Sequence, residues 1–212
     1  RTGGPGSRGL TAFIVDAGAP GLIPGKAIEF MAPHPAAPLS FRDCRVPAAN
    51  IIGEVDKGFK AAMATFDIFR ASVGAAGVGI ARRALDESLK RTTTRKMFGK
   101  TMADVEGIQT KLAEMSIDIE TAALAVYRAA WMKDTTGQRC TPEVSMAKLM
   151  GSEAANRVVD AAVQLFGGMG VRRGCIIELL YREARPLRIY EGASEVQKLI
   201  IARSLLAEFG GK

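Results

Sequence analysis

Glu191 stands in the run Arg188-Ile-Tyr190-Glu191-Gly192-Ala-Ser194-Glu-Val-Gln197, between a tyrosine and a glycine. A carboxylate on a short loop, with an aromatic ring on one side and a glycine that opens the backbone to a ligand on the other, suits general-base chemistry. The same residues also describe an ordinary solvated loop acid, and by themselves they leave both readings open. The flanking elements must hold this loop. Glu178 to Arg185 mixes acids, bases and leucines as a short amphipathic helix would, and Val196, Leu199, Ile200 and Leu205 recur at helical spacing. Ser194 is expected to N-cap that last helix, with Gln197 three residues on completing a capping box.

Scarce residue types narrow the remaining chemistry. His34 is the single histidine among 212 residues, which removes Ser-His triads, Cys-His pairs and histidine-rich metal sites. No metal site is expected. Cys44, Cys140 and Cys175 are odd in number and widely spaced, a pattern of reduced thiols in a cytosol-like compartment. The net charge of +7 is spread among acids, with few aromatics and no RNP, zinc-finger or basic-zipper pattern, so nucleic acid is not the expected partner. That balance suits an anionic small ligand, such as a nucleotide or coenzyme. The most apolar run, Ala71 to Ala81, is too short for a bilayer and is bracketed by Arg70 and Arg82.

Two regions with different periodicities follow from the pattern. Gly4-Pro-Gly-Ser-Arg-Gly9 matches a dinucleotide fingerprint in spelling, but it precedes a strand instead of joining a strand to a helix, so it reads as a turn. Leu10–Val15, Lys26–Met31 and Leu39–Val46 are expected as strands. From about Lys57 the period changes to that of a helix, which is expected to end near Lys90, with Gly74, Gly77 and Gly79 inside it. Those glycines cost helix propensity and call for close backbone approach by a neighbour or ligand. Arg91 to Lys100 is a connector. A second helix carries Ile108, Leu112, Met115, Ile119, Ala122, Val126 and Ala130, and a third starts with Thr141 as cap and Pro142 at its first position, ending at Gly167-Gly168. The expected fold is mainly α: an up-down four-helix bundle over 54–212, preceded by a small, partial antiparallel β region over 1–53. The chain opens without a methionine and is read as a fragment.

At this point an ordered set of motifs resembles the acyl-CoA dehydrogenase family. It runs through Phe41-Arg-Asp-Cys-Arg-Val-Pro47, Lys57-Gly-Phe59, Arg95-Lys-Met-Phe98-Gly99-Lys100, Leu112-Ala-Glu-Met115, Ser145-Met-Ala-Lys148, Gln164-Leu-Phe-Gly167-Gly168-Met-Gly170, Arg182 and Ile189-Tyr-Glu191-Gly192. The resemblance covers essentially the whole chain and corresponds to the latter half of such an enzyme. It implies oxidation of an acyl-CoA thioester to the 2-enoyl-CoA. A glutamate removes the α-proton while a hydride leaves for FAD, and electrons pass on to an electron-transfer flavoprotein. Glu191 matches that glutamate, whose backbone N–H also helps hold the thioester carbonyl, an oxyanion-type arrangement.

By the same resemblance, Asp67, Arg70, Tyr190 and Gly192 fall at the acyl-CoA site. Arg95, Phe98, Gln164, Gly167 and Gly168 fall at contacts to the FAD of a neighbouring subunit. Simpler readings stand beside these: a helix-surface arginine for Arg70, a connector for Arg95 and a helix C-cap for the glycines. Some branches of the family carry the base one residue before the arginine matched by Arg70, but that position here is Phe69, which takes no proton. Three departures concern the cofactor: Glu106 stands where glutamine is frequent, Ala193 where threonine is usual, and Met97 at an often polar position. The resemblance further implies a homo-oligomer, a dimer of dimers, in a bacterial cytoplasm or the mitochondrial matrix and not secreted. The alternative is a non-catalytic helical module of the same fold used for oligomerisation or partner binding.

Overall fold

The computed structural model describes residues 1–211, which form two compact units, Arg1–Phe66 and Asp67 onward. In the first unit, two short antiparallel pairs replace a larger sheet: β1 (Ala12–Phe13) with β4 (Ile51–Ile52), and β2 (Leu22–Pro24) with β3 (Leu39–Phe41). Leu22–Pro24 is not among the expected strands, yet it finds a ladder partner in β3. The strand expected at Lys26–Met31 does not form; there only Ile28 bridges Ala36. Pro33, Pro35 and Pro38 follow it, and prolines withhold the N–H donors that a ladder needs. The strand expected over Leu39–Val46 stops at Phe41, just before Asp43 enters the left-handed region at φ 47°. Ala32 is the buried hydrophobic side chain of this unit among the described residues, while Phe13, Phe30 and Phe41 are exposed.

The helices are α1 (Gly58–Thr94), α2 (Glu106–Thr136), α3 (Thr141–Phe166), α4 (Ile176–Ala184) and α5 (Ser194–Phe209). The expected bundle is present, with the short amphipathic α4 in addition to the four long helices. Helix α3 packs on α2, α4 and α5 and supplies the centre of the core through Val144, Ala147, Ala155, Val158, Val159 and Ala162. Helix α2 turns Met115, Ile119, Ala122, Val126 and Ala129 inward; Ala129 takes the buried position expected of Ala130. The bidentate Arg157–Asp118 pair (2.9 and 2.7 Å) and the Arg128–Glu143 pair (3.4 Å) show α2 and α3 running antiparallel.

Two of the three glycines inside α1 have the reason the sequence asked for. A Cβ on Gly74 would lie 2.5 Å from the carbonyl oxygen of Ala147, and one on Gly77 would lie 2.4 Å from that of Gly151. Conversely, a Cβ on Gly151 would lie 2.3 Å from the Gly74 carbonyl oxygen. Backbone therefore meets backbone where α1 crosses α3. Gly79 faces open space. Helix α1 continues past Lys90 to Thr94, and its closing threonines satisfy themselves: the Thr93 hydroxyl donates to Leu89 O and that of Thr94 to Lys90 O, both at 2.8 Å. Arg91 caps the end of α3 by donating to the carbonyls of Leu165 (3.2 Å) and Phe166 (2.9 Å), with its guanidinium 4.8 Å from the Phe166 ring centre.

The rest of the expected connector is a tight hairpin of β5 (Lys96–Met97) and β6 (Lys100–Thr101). Phe98 and Gly99 form its two-residue turn with φ of 51° and 80°, which matches the right-handed twist of the flanking strands.

Candidate active site

The turn between the short 3-10 helix Arg185–Arg188 and α5 presents Glu191. Its backbone is in the left-handed region (φ 54°), followed by Gly192 at φ 95°. Four donor contacts from three side chains hold this peptide pair. Arg70 Nε and Gln197 Nε2 donate to the carbonyl of Glu191 at 3.3 and 3.2 Å. Lys148 Nζ and Gln197 Nε2 donate to that of Gly192, both at 2.9 Å. A left-handed conformation at a non-glycine residue costs free energy and persists where surrounding contacts over-determine it. Here they do. A Cβ on Gly192 would sit 2.6 Å from Gln197 Nε2, so that donor requires a glycine beside it.

The Glu191 carboxylate makes a different kind of statement. Its Oε2 is buried and has no hydrogen-bond partner. Among the described residues no group accepts from the Glu191 N–H either. Buried polar groups are almost always paired, so an unpaired buried carboxylate oxygen marks a place built to meet something else. Burial pushes the Arg70 guanidinium down, opposed by Asp67 and Glu191, and Arg70 is only 6% exposed. Tyr190 is partly exposed; burial, then the carboxylates of Glu191 and Glu183, push its phenol up.

Two expected caps are replaced by tertiary bonds. Ser194 is the first residue of α5, and its hydroxyl donates to Glu153 Oε1 (2.6 Å), which also accepts from Arg188 Nε (2.8 Å). Gln197 reaches back to the turn instead of closing a capping box. Thr141 likewise lies inside α3, which starts after Cys140, and its hydroxyl donates to Asp67 Oδ2 at 3.1 Å. Asp67 also accepts from Arg139 Nε at 2.8 Å, so this buried carboxylate ties α1 to the α2–α3 connection one turn before Arg70. Asp67→Ala is expected to cost about 1.5–3 kcal/mol, the worth of hydrogen bonds to a charged group. It should lower the melting temperature by several degrees in calorimetry. An unchanged melting temperature would show that Asp67 does not fasten this corner.

The sequence-matched residues fall into two groups. Arg70, Tyr190, Glu191 and Gly192 gather at the turn, and Asp67 lies one helical turn before Arg70 on α1. Arg95 and Phe98 lie beyond the end of α1, with Gln164, Gly167 and Gly168 at the end of α3. Roughly 36 Å of helix, at about 1.5 Å per residue, separates Arg70 from Thr94. Arg95 lines an open pocket of about 430 Å3 with Glu87, Lys90, Arg91, Thr94 and Phe166, and Phe98 is 89% exposed at its hairpin tip.

Lys148 and Arg139 are site residues whose roles the sequence did not disclose. A signal for Lys148 was present, since it falls on the apolar face with Val144, Gly151 and Ala155, where a lysine needs a reason. Among the described residues no cluster of histidine, cysteine or acid could hold a metal, and no helix is long and apolar enough to cross a membrane.

Known proteins resemble this chain in sequence and in fold. Residues 56–206 match the model of the family described as acyl-CoA dehydrogenase, C-terminal domain. The chain is 42% identical over 203 residues to the acryloyl-CoA reductase (NADH) of Anaerotignum propionicum, covering 95% of this chain and 51% of that protein. It is 41% identical over 203 residues to the caffeyl-CoA reductase-Etf complex subunit CarC of Acetobacterium woodii, covering 95% and 53%. The structure of butyryl-CoA dehydrogenase from Megasphaera elsdenii superimposes with a TM-score of 0.91 at 40% identity, over 95% of this chain and 53% of that one. The chain thus spans about half the length of the relatives it matches.

Proposed function

The chain belongs to the acyl-CoA dehydrogenase family, and from that premise we propose that the protein catalyses α,β-dehydrogenation of an acyl-CoA thioester to the 2-enoyl-CoA, with Glu191 as the base. The observation that carries this reading is the buried, unpartnered Glu191 Oε2 on a turn held from behind by Arg70, Lys148 and Gln197. An α-proton is weakly acidic, so its removal needs both an acceptor and stabilisation of the negative charge that grows on the thioester oxygen. Glu191 offers the carboxylate and a backbone N–H from one residue, which fixes their spacing. The three side chains clamp carbonyls and leave both functional groups to the substrate. Asp67, Arg70, Tyr190 and Gly192 belong to the substrate side of this site.

FAD is the cofactor that the family implies, and the residues here fit it. Lys90, Arg91 and Arg95 line one pocket, an arginine fork suits pyrophosphate oxygens, and a Cβ on Gly168 would meet nothing within 4 Å. Arg95, Phe98, Gln164, Gly167 and Gly168 would hold the cofactor of a neighbouring subunit. When bound, FAD supplies the hydride acceptor that a carboxylate base lacks. The distance along α1 between Arg70 and Thr94 supports this division, the Arg70 region serving the chain's own flavin and the C-terminal end its neighbour's. Ile117, Leu124 and Trp131 recur every seventh residue on an exposed face of α2, which supports a homo-oligomer, read as a dimer of dimers. An electron-transfer flavoprotein is the proposed electron acceptor.

The test is anaerobic addition of acyl-CoAs of varied chain length and branching to the purified full-length flavoprotein. Bleaching of the flavin band with formation of the enoyl-CoA is expected. A flavin-loaded protein that no acyl-CoA bleaches would refute the activity. It would leave the non-catalytic assembly module, which the same exposed α2 face also suits.

A further inference from the structure

Lys148 is the largest of the fully buried side chains, at 0% exposure. It shares the inward face of α3 with small and apolar residues. A methionine there would fill the space without taking a charge out of water, and such replacements of buried charges are often neutral or stabilising. An ammonium kept at this position is therefore not explained by packing. Its recorded hydrogen bond is the 2.9 Å donation to the carbonyl of Gly192, the residue after the proposed base. The charges that face it come from every element around it: Glu191 on the turn, Arg70 on α1, Glu153 on its own helix and Glu195 in the first turn of α5.

We infer that Lys148 is a positioning residue for Glu191: by its charge, not its bulk, it fixes the Glu191–Gly192 peptide pair so that the carboxylate and N–H of Glu191 address one reacting centre. The inference rests on the reading of Glu191 as the base. Gln197 bonds to the same carbonyls but is neutral, and its own Oε1 is buried without a partner. It is a second strut, not a substitute for the cation. A charge-assisted bond is roughly twice as strong as a neutral one, and misplacing a catalytic group by about 1 Å can cost about 100-fold in rate.

The geometry has a pH signature. Burial is the main cause that lowers the Lys148 ammonium from 10.5 to about 8; Arg70 also lowers it, while Glu191, Glu153 and Glu195 act in the opposite direction. Between those two values the unfolded chain carries the proton and the folded protein does not. The contribution of Lys148 to stability therefore rises with pH across that window. Turnover should move the other way, falling as the ammonium is lost near 8. A lysine that served only as a prop would not uncouple the two.

The experiment compares full-length, flavin-loaded wild type with Lys148→Met and Glu191→Gln. For Lys148→Met we expect a melting temperature equal to or above that of wild type, unchanged flavin content, KM within about twofold and kcat reduced about 10–100-fold. We also expect the alkaline limb of the kcat profile to disappear. Wild-type-like kcat with the alkaline limb retained overturns the inference, and so does a parallel loss of kcat and melting temperature, which would make Lys148 a structural prop. Should Lys148→Met not fold, the wild type decides: turnover must fall through about pH 8 while its melting temperature does not fall. If Glu191→Gln is inactive and Lys148→Met behaves as wild type, only the positioning role fails. If Glu191→Gln turns over normally, the assignment of the base fails and the positioning role with it.

Discussion

Glu191→Gln in the full-length flavoprotein is expected to lower kcat by about 10²–10⁴-fold, the usual contribution of a positioned general base, while flavin content and acyl-CoA binding stay nearly unchanged. The structure explains why the loss should be confined to kcat. All four donor contacts to the turn end on the carbonyl oxygens of Glu191 and Gly192, not on the carboxylate. An amide of the same shape therefore leaves the clamp, the left-handed backbone and the backbone N–H as they are. It removes only the ability to take the α-proton. Loss in kcat and kcat/KM together, with binding retained, is the signature of an interaction made in the transition state. Turnover with an artificial electron acceptor and a panel of acyl-CoAs measures it. Phe69, at the rival position on α1, accepts no proton, so wild-type-like turnover would mean that another group is the base.

The second large effect concerns the crossing of α1 and α3. Gly151→Ala should destabilise the protein by about 3 kcal/mol or more, the upper range for an overpacked interior. Thermal denaturation should show a loss of about 6–12 °C, at roughly 2–4 °C per kcal/mol for a chain of this size. The added methyl would lie 2.3 Å from the Gly74 carbonyl oxygen and 2.7 Å from its Cα. Both atoms are backbone of a packed helix, so neither moves aside as a flexible side chain would. Gly79→Ala is the internal control. Its Cβ meets nothing, and the gain in helix propensity should stabilise by about 0.5–1 kcal/mol. Equal effects at the two positions would mean that the helices have room to separate.

This contrast also shows what the sequence could and could not disclose. Three glycines inside one helical period signalled close approach, but only the three-dimensional path of α3 distinguishes Gly74 and Gly77 from Gly79. The long helices were legible because their apolar stripes repeat over many turns. The short strands were not, because a two- or three-residue ladder depends on which distant partner arrives, as it did for Leu22–Pro24 and did not for Lys26–Met31.

The site was legible to a similar depth. Glu191 and Gly192 stood out by residue type and order. The roles of Ser194, Gln197 and Thr141 did not, because a local cap and a tertiary hydrogen bond compete for the same side chain and only the tertiary neighbours decide. Glu153 claims Ser194, the Glu191–Gly192 carbonyls claim Gln197, and Asp67 claims Thr141. Lys148 left only a faint signal for the opposite reason: it interrupts an apolar face by a single residue, which periodicity averages away.

The glycine crossing has one more consequence, for how this chain tolerates change in length. Arg70 in the first half of α1 and Arg91 near its C-terminal end are each committed to backbone carbonyls, those of Glu191 and of Leu165 and Phe166. Gly74 and Gly77 pin the helix between them against α3. Inserting or deleting a single residue in that interval would rotate everything beyond it by about 100° and slide it by about 1.5 Å, so both arginines could not keep their partners at once. The interval from Arg70 to Arg91 should therefore be closed to insertions and deletions in functional sequences.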